Sequence, residues 1–245
     1  MTAQSQFPRP EIPLYAVGDL HGCAEHLDRI VAAINADAKA RGQEESAVVF
    51  LGDYVDRGED SRGVLLRLFE ASRDMPGNVV SLMGNHEKMM LDFLDRPGER
   101  GRRWLRYGGL QTLASFQLGG VTERAGERQL VDAAERLRGA LPEGLEDWLR
   151  TLPLWWQSGN VVCVHAGMDP AIPPEMQEAR DMLWGHSLFD RYVRPDGLWV
   201  VHGHEVVENP TIADRRVACD TGAYHSGRLT AAAVFPDEDV RFLEV

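Results

Sequence analysis

Short apolar runs in this chain end, five times over, in a glycine-containing polar motif. LYAV is followed by GDLHG, AVVFL by GDYVDRG, NVVSLM by GNHE, VVCV by HAG and LWVV by HGHE. Apolar runs of this length are typical of buried strands. In open α/β sheets, ligands bind beyond the carboxyl ends of the strands. The pattern therefore predicts one site assembled from the ends of five strands.

Helical periodicity separates the first three apolar runs. Leu27, Ile30, Val31 and Ile34 recur at helical spacing, and a second stripe begins near Ser61, which we expect to cap its helix. The aspartate of GDLHG and that of GDYVDRG are 34 residues apart, about one βαβ unit. The sequence thus predicts the α/β class, with parallel strands and helices on their faces.

The remainder of the chain adds two further features. Residues 97–156 open with RPGERGRR and continue in helical patches, so we expect a mainly helical insertion. The last two apolar runs, residues 228–235 and 239–245, flank the turn signal PDE and predict an antiparallel hairpin. Strands of both directions imply mixed sheets, and we expect a single domain over residues 1–245 because no linker composition interrupts the chain.

The composition restricts the partners and the compartment. The formal net charge is −12, which repels nucleic acid and anionic membrane surfaces, so we expect neither partner. No apolar stretch approaches the ~18 residues of a membrane span, and MTAQSQFPRPEIP lacks the apolar core of a secretory signal. The three cysteines are widely spaced, as is typical of reduced thiols. We expect a soluble, cytoplasmic protein, and the oligomeric state is unknown.

The residue types at the strand ends indicate metal chemistry. Several carboxylates at the edge of a core are costly unless a cation compensates them. A mixed set of oxygen and imidazole ligands suits Mn²⁺, Fe or Zn²⁺ better than Ca²⁺. Six candidate ligands are too many for one catalytic ion with an open position, and they suit two ions that share a carboxylate. We therefore expect two divalent metal ions, with Mn²⁺ favoured and Fe or Zn²⁺ as alternatives.

The five motifs, followed by DTGA at residues 220–223, resemble those of the phosphoprotein phosphatase family of calcineurin-like metallophosphoesterases. The resemblance spans residues 14 to about 235 and is greatest to the compact bacterial and phage serine/threonine protein phosphatases. It implies an αββα sandwich with mixed sheets and a dinuclear metal site at the sheet edge. It also implies in-line attack on phosphorus by a hydroxide held between the two ions.

The resemblance assigns six metal ligands, namely Asp19 and His21 for the first ion, Asp53 as the bridge, and Asn85, His165 and His204 for the second. His204 is preferred over His202 because the family's histidine lies directly before the strand-like run that begins in GHEVV.

The same resemblance assigns three residues to catalysis. His86 would be the general acid that protonates the leaving oxygen, and Asp56 would orient it. Arg57 would bind phosphate oxygens and neutralise charge in the transition state. The resemblance also implies that Asn85 contacts the substrate phosphate.

One departure from the family pattern concerns the substrate. A second phosphate-binding arginine is expected in a motif like LWxR, but this chain has LWGH, with His186 at that position. Either His186 takes the role, or Arg180 or Arg191 supplies it, or the substrate is different. Tyr224, directly after DTGA, is a further candidate for contact with the phosphate, with a half-buried structural tyrosine as the alternative.

Two activities fit these motifs. The first is a phosphomonoester hydrolase, most specifically a serine/threonine protein phosphatase, with a phosphorylated protein or a small phosphoester as substrate. The alternative is a symmetrical dinucleoside polyphosphate (diadenosine tetraphosphate) hydrolase, because such enzymes share the GDLHGC opening. GDYVDRG keeps Asp56, which those tetraphosphatases typically lose, and this favours the protein phosphatase. A phosphatase-like binding module without activity is disfavoured because all six ligand positions are intact.

Overall fold

The computed structural model describes residues 7–245. Residues 1–6, which belong to the segment expected to lack a secretory signal, lie outside the described part. Its strands form two five-stranded sheets. No helix within residues 7–245 combines the length and the apolar character needed to cross a membrane.

The first sheet has the order β10-β9-β1-β2-β3. Its strands are β1 (Leu14–Val17), β2 (Ala47–Phe50), β3 (Val79–Ser81), β9 (Thr230–Val234) and β10 (Arg241–Glu244). β1, β2 and β3 are parallel, whereas β9 runs antiparallel to both β1 and β10. The predicted C-terminal hairpin is therefore confirmed.

The second sheet has the order β4-β5-β6-β8-β7. Its strands are β4 (Trp155–Ser158), β5 (Val161–Val164), β6 (Trp199–His202), β7 (Thr211–Ala213) and β8 (Arg216–Ala218). β5, β6 and β8 are parallel, and β4 and β7 are antiparallel edge strands. Both sheets are mixed, as predicted.

Helices lie before, between and after these strands. Their bounds are α1 (Ala24–Arg41), α2 (Ser61–Asp74), α3 (Asn85–Asp95), α4 (Pro97–Trp104), α5 (Leu110–Ser115), α6 (Glu127–Ala140), α7 (Leu145–Thr151), α8 (Ala179–Trp184) and α9 (Ala223–Ser226). A π turn over Leu105–Gly109 joins α4 to α5, and a 3₁₀ turn over Pro174–Met176 precedes α8.

The alternation of side chains along the strands builds the layers. Leu14 and Ala16 of β1 face the second sheet, in a cluster that includes Val161 and Val201. The residues on the opposite face of the first sheet, such as Tyr15 and Val17, pack instead against the buried faces of α1 to α4. Val162, Val164 and Val200 pack against Met182 and Phe189 on the outer face of the second sheet. These are the layers of the predicted αββα sandwich.

Three local expectations need correction. Asp60, not Ser61, caps α2: its side chain accepts the Gly63 N–H at 2.8 Å, and Ser61 is the first helical residue. The helical segment ends at Thr151, before the expected boundary at residue 156, because Trp155 and Trp156 form β4 and pair with β5. β3 is only three residues long: the Leu82 N–H still donates to the Phe50 carbonyl of β2, but the Met83 N–H donates to the Pro153 carbonyl instead.

Candidate metal centre

The carboxyl ends of β1, β2, β3, β5 and β6 meet, and the polar motifs that follow them supply one cluster of side chains. All six expected ligands lie in it, five of them buried and the last half-buried: Asp19, His21, Asp53, Asn85, His165 and His204. The cluster therefore joins the ends of strands from both sheets.

Asp53 lies at the centre of the cluster. Its Oδ2 is 3.5 Å from His21 Nε2, and its Oδ1 is 3.5 Å from His165 Nε2. Two groups of donor atoms, each within 4.8 Å of one another, could hold a metal ion: His21, Asp53 and His86 in one, and Asp53, His165 and His204 in the other. Asp53 is the member they share, so its two oxygens reach both groups.

His21 shows that the cluster fits a cation. Its Nδ1 donates to the Val55 carbonyl at 2.8 Å, which leaves the lone pair on Nε2 facing Asp53. This Nε2 is buried and has no hydrogen-bond partner among the described residues. A buried lone pair that faces a carboxylate is unfavourable by itself and favourable when a cation lies between the two.

His165 and Asn85 show the same arrangement on the other side of Asp53. His165 Nδ1 donates to the Leu51 carbonyl at 2.9 Å, so its Nε2 also carries a lone pair. That Nε2 lies 2.8 Å from Asn85 Oδ1 and 3.5 Å from Asp53 Oδ1. Three atoms that carry lone pairs thus face one another with no proton between them. A divalent ion binds to such a set of lone pairs.

The surroundings of the imidazoles expected as ligands keep those imidazoles neutral. Burial lowers the pKa of His21 to about 3 and that of His204 to about 4, outweighing the opposing effect of Asp53. Neutral imidazole is the form that binds metal. His202 is also buried, but its ring lies 5.1 Å from the ring of Phe189, away from the cluster, whereas His204 lies 5.0 Å from His165.

Asp19 is the member of the cluster with an acidic neighbour, Asp220. Both of its oxygens are 3.2 Å from the His204 N–H. Burial raises its pKa well above the usual range, and the nearby Asp220 and Asp53 raise it further. Asp220 has a pKa raised to about 6, chiefly by burial. Asp220 is the first residue of the DTGA motif, but the motif alone indicated no role for its side chain.

Glu87 holds the loop that carries Asp53. Its Oε2 accepts the N–H groups of Asp53 at 2.8 Å and Gly84 at 3.0 Å, and its Oε1 accepts those of Tyr54 at 2.7 Å and Val55 at 3.2 Å. Burial raises the pKa of Glu87 to about 8, with Asp53 adding to the shift. The GNHE motif contained this residue, but its spacing gave no sign that it binds the preceding loop.

The structure places Asp56 and His86 in direct contact. His86 Nδ1 donates to Asp56 Oδ2 at 2.6 Å. The other Asp56 oxygen accepts from Thr112 Oγ1 at 2.6 Å, and Trp104 Nε1 donates to both oxygens. Burial opposes a charge on His86, but Asp53 and Asp56 outweigh it and raise the pKa of His86. Trp104 and Thr112 belong to the helical segment and were missed from sequence, because they approach Asp56 across 48 and 56 residues.

Two of the expected phosphate-contacting residues, Arg57 and Tyr224, lie at the rim of the cluster. Arg57 Nη2 is 3.2 Å from His86 Nε2, and the Arg57 guanidinium lies 5.0 Å from the ring centre of Tyr224. Tyr224 is 38% exposed, and its ring meets that of His21 edge-on at 5.2 Å. Tyr224 is thus next to the cluster.

His186, in contrast, contacts its own loop. Its Nδ1 accepts the Leu188 N–H at 3.3 Å, and its Nε2 is 3.9 Å from Asp169. Within residues 7–245, the guanidinium groups of Arg180 and Arg191 make no hydrogen bond, ion pair or ring stack with a residue of the cluster. The structure brings none of these three side chains into contact with the expected ligands.

Comparisons with known proteins agree with this architecture. The chain is 25% identical over 245 residues to the asymmetrical bis(5'-nucleosyl)-tetraphosphatase PrpE of Oceanobacillus iheyensis, covering 91% of this chain and 88% of the relative. It is 28% identical over 264 residues to the symmetrical bis(5'-nucleosyl)-tetraphosphatase of Ralstonia nicotianae, covering 90% and 89%.

A solved structure described as a putative diadenosine tetraphosphatase shares the fold. Its TM-score is 0.62 at 21% identity, with 96% of this chain and 95% of that chain covered. The sequence motifs favoured a protein phosphatase, whereas these relatives are named as tetraphosphatases. Residues 12–208 match the family model of calcineurin-like phosphoesterases. This family uses a dinuclear divalent metal site, and the chain belongs to it as a hydrolase of phosphoester bonds.

Proposed function

We propose that this protein hydrolyses dinucleoside polyphosphates in a metal-dependent reaction. The observation that carries the proposal is the similarity to two curated tetraphosphatases over about nine-tenths of each chain. The cluster at the strand ends supports it, because its donors suit two divalent ions. The proposal reverses the order in which the motifs alone ranked the two activities.

The metal ligands in this proposal are those that the family resemblance assigns, and His86, although it lies in the donor group of His21, is reserved for proton transfer. Asp19 and His21 would hold one ion, Asn85, His165 and His204 the other, and Asp53 both. Mn²⁺ is the proposed metal and Fe or Zn²⁺ are the alternatives, because oxygen and imidazole donors without thiolates suit all three. When bound, two such ions neutralise charge on the phosphoryl oxygens and make a water molecule acidic enough to attack phosphorus at neutral pH.

His86 acts in this proposal as the acid for the leaving group. Its Nδ1 is fixed by Asp56, so its Nε2 faces the rim where Arg57 lies. Arg57 would move its guanidinium onto the oxygens of the bound phosphate, assisted by Asn85. His86 Nε2 could then give a proton to the phosphate oxygen that leaves when the P–O–P bond breaks. Asp56 would keep His86 protonated and oriented.

A second candidate function rests on Asp56. The carboxylate is retained in GDYVDRG and bonds His86 at 2.6 Å, the feature that favours a phosphoprotein phosphatase. In that reaction the same acid would protonate a serine or threonine alkoxide.

Rates on two substrates separate these functions. The manganese-loaded protein is assayed with diadenosine tetraphosphate and with a phosphoserine peptide, and the nucleotide products are identified. We expect a kcat/KM for the nucleotide at least about tenfold higher than for the peptide, which corresponds to about 1.4 kcal/mol. Two ADP would indicate symmetrical cleavage, and ATP with AMP asymmetrical cleavage. A preference for the peptide would overturn the proposal in favour of the second candidate.

A further inference from the structure

A cavity of about 90 Å³ lies beside the metal centre, among α3, α4 and α8. Seven residues line it, and we call it the Arg100–Arg103 cavity: Lys88, Met89, Asp92, Arg100, Arg103, Trp104 and Trp184. Three of these side chains are cationic and one is acidic. Lys88 and Asp92 pair with each other at 2.5 Å, so the net positive charge of the cavity comes from the two arginines.

The cavity shares walls with the metal centre. Trp104 lines the cavity and also donates its indole N–H to Asp56, the partner of His86. Trp184 lines it and meets the ring of His204 edge-on at 6.2 Å. The cavity therefore lies next to the metal centre, with Trp184 between it and His204.

The two arginines have no acidic partner within residues 7–245. The Arg103 guanidinium stacks on Trp184 at 5.0 Å and on Tyr107 at 5.7 Å, and it is exposed on its remaining side. Arg100 is half-buried, and its buried Nε–H has no acceptor among the described residues. A buried guanidinium N–H without an acceptor is unfavourable, and a phosphate oxygen is a strong acceptor for it.

We propose that the Arg100–Arg103 cavity binds the phosphates of the substrate chain beyond the one that is hydrolysed. This inference rests on the proposed function and extends it, because it assigns the recognition of a polyphosphate rather than a single phosphate. Arg57 then contacts the reacting phosphate on the Tyr224 side, and Arg103 contacts a following phosphate on the Trp184 side. Arg103 would thus add a second cationic contact to the substrate, on a different phosphate from the one that Arg57 contacts.

The test measures binding to the metal-loaded protein by calorimetry at a fixed excess of metal. The two probes are orthophosphate and a methylene-bridged, non-hydrolysable diadenosine tetraphosphate. Arg100→Gln and Arg103→Gln should each raise the Kd of the tetraphosphate analogue about tenfold, since each removes a charged hydrogen bond. The Kd of orthophosphate should change by less than about threefold. Arg103→Lys should weaken binding of the analogue less than Arg103→Gln, because lysine keeps the charge but lacks the planar guanidinium group.

Arg102→Gln is the matched control, because it removes the same charge from the same helix. Arg102 donates to the Ala125 carbonyl at 3.2 Å and does not line the cavity. The inference would be overturned if the Arg100 and Arg103 variants lost affinity equally for both probes. It would also be overturned if they bound the analogue as tightly as wild type. Failure of the proposed function has a different signature, because wild-type protein would then leave diadenosine tetraphosphate intact while these binding constants remain measurable.

Discussion

Several residues of the metal centre have backbone angles that side chains other than glycine seldom adopt. φ is positive at five of them: His21 (39°), Asp53 (54°), Asp56 (72°), Arg57 (67°) and His204 (65°). Such angles cost about 1–3 kcal/mol each and persist only where the surroundings fix them. Glu87 provides part of this restraint, because four backbone N–H groups donate to its carboxylate.

Asp53→Asn tests the residue that both donor groups share. An amide has one acceptor oxygen instead of two and no charge, so it cannot link two ions. We expect kcat to fall by more than about 100-fold, because even residues that only orient a metal ligand contribute about 10–100-fold. Asp28→Asn, at an exposed carboxylate paired with Arg67, is the control and should keep wild-type turnover. Near-normal turnover of Asp53→Asn, with an unchanged circular dichroism spectrum, would contradict the shared role.

At the scale of elements, the sequence predicted the strand ends but not what stabilises them. Each polar motif follows an apolar run, so the convergence of Asp19, Asp53 and Asn85 could be read from spacing alone. The contacts of Trp104 and Thr112 with Asp56 could not, because they depend on how α4 and α5 fold back over the site. Periodicity within a segment carries no information about that tertiary contact.

Thr112→Val tests the support that α5 gives to Asp56. The substitution keeps the shape but removes the hydroxyl that donates to Asp56 Oδ1 and accepts the Asp56 N–H. Both groups are buried, so we expect a loss of about 1–3 kcal/mol in the free energy of unfolding, measured in urea. Thr151→Val, at an exposed threonine that ends α7, should change it by less than about 0.5 kcal/mol. Equal effects of the two substitutions would show that Thr112 has no special role.

Asp37→Asn tests how α1 is held on the first sheet. Asp37 accepts from Tyr15 of β1 at 2.7 Å and from Arg241 of β10 at 3.0 Å. Burial opposes its ionisation, but these two partners outweigh it and lower the pKa of Asp37. The folded pKa lies below the unfolded one, so the stabilisation is present above about pH 4 and is lost as the pH falls through the folded pKa.

We therefore expect Asp37→Asn to lower the free energy of unfolding by about 1–2 kcal/mol at pH 7. The difference from wild type should shrink as the pH falls below about 4. Urea unfolding at pH 7 and at acidic pH measures both values. A difference that grows toward acidic pH would have the wrong sign for this account.

At the scale of the whole molecule, the second sheet was the part that sequence could not place. The motifs indicated five strand ends in one site, and the family resemblance implied a sandwich. The apolar runs of β5 and β6 do not indicate whether these strands pair with each other or with β1 to β3. The shared apolar cluster between the sheets supplies the physical link, and we propose that residues 1–245 act as a single domain for this reason.

Metal binding should stabilise the whole fold. Without cations, burial raises the pKa of Asp19 and of Asp220, and the charge of Asp53 adds to both shifts; bound ions would compensate this negative charge. At 100 times the dissociation constant, one ion contributes about 2.7 kcal/mol. For a domain of this size we expect the Tm to rise by about 5–10 °C between chelator-treated and manganese-loaded protein. An unchanged Tm would mean that the cluster does not bind the metal.

The strand ends of the two sheets form one centre, which we expect to hold two metal ions. Metal content per chain, measured by elemental analysis after loading with Mn²⁺ and gel filtration, tests it most directly. We expect two ions per chain in wild type and in Asp28→Asn, and fewer than two in Asp53→Asn. One ion or none in a fully active wild-type protein, or two tightly held ions in Asp53→Asn, would contradict it.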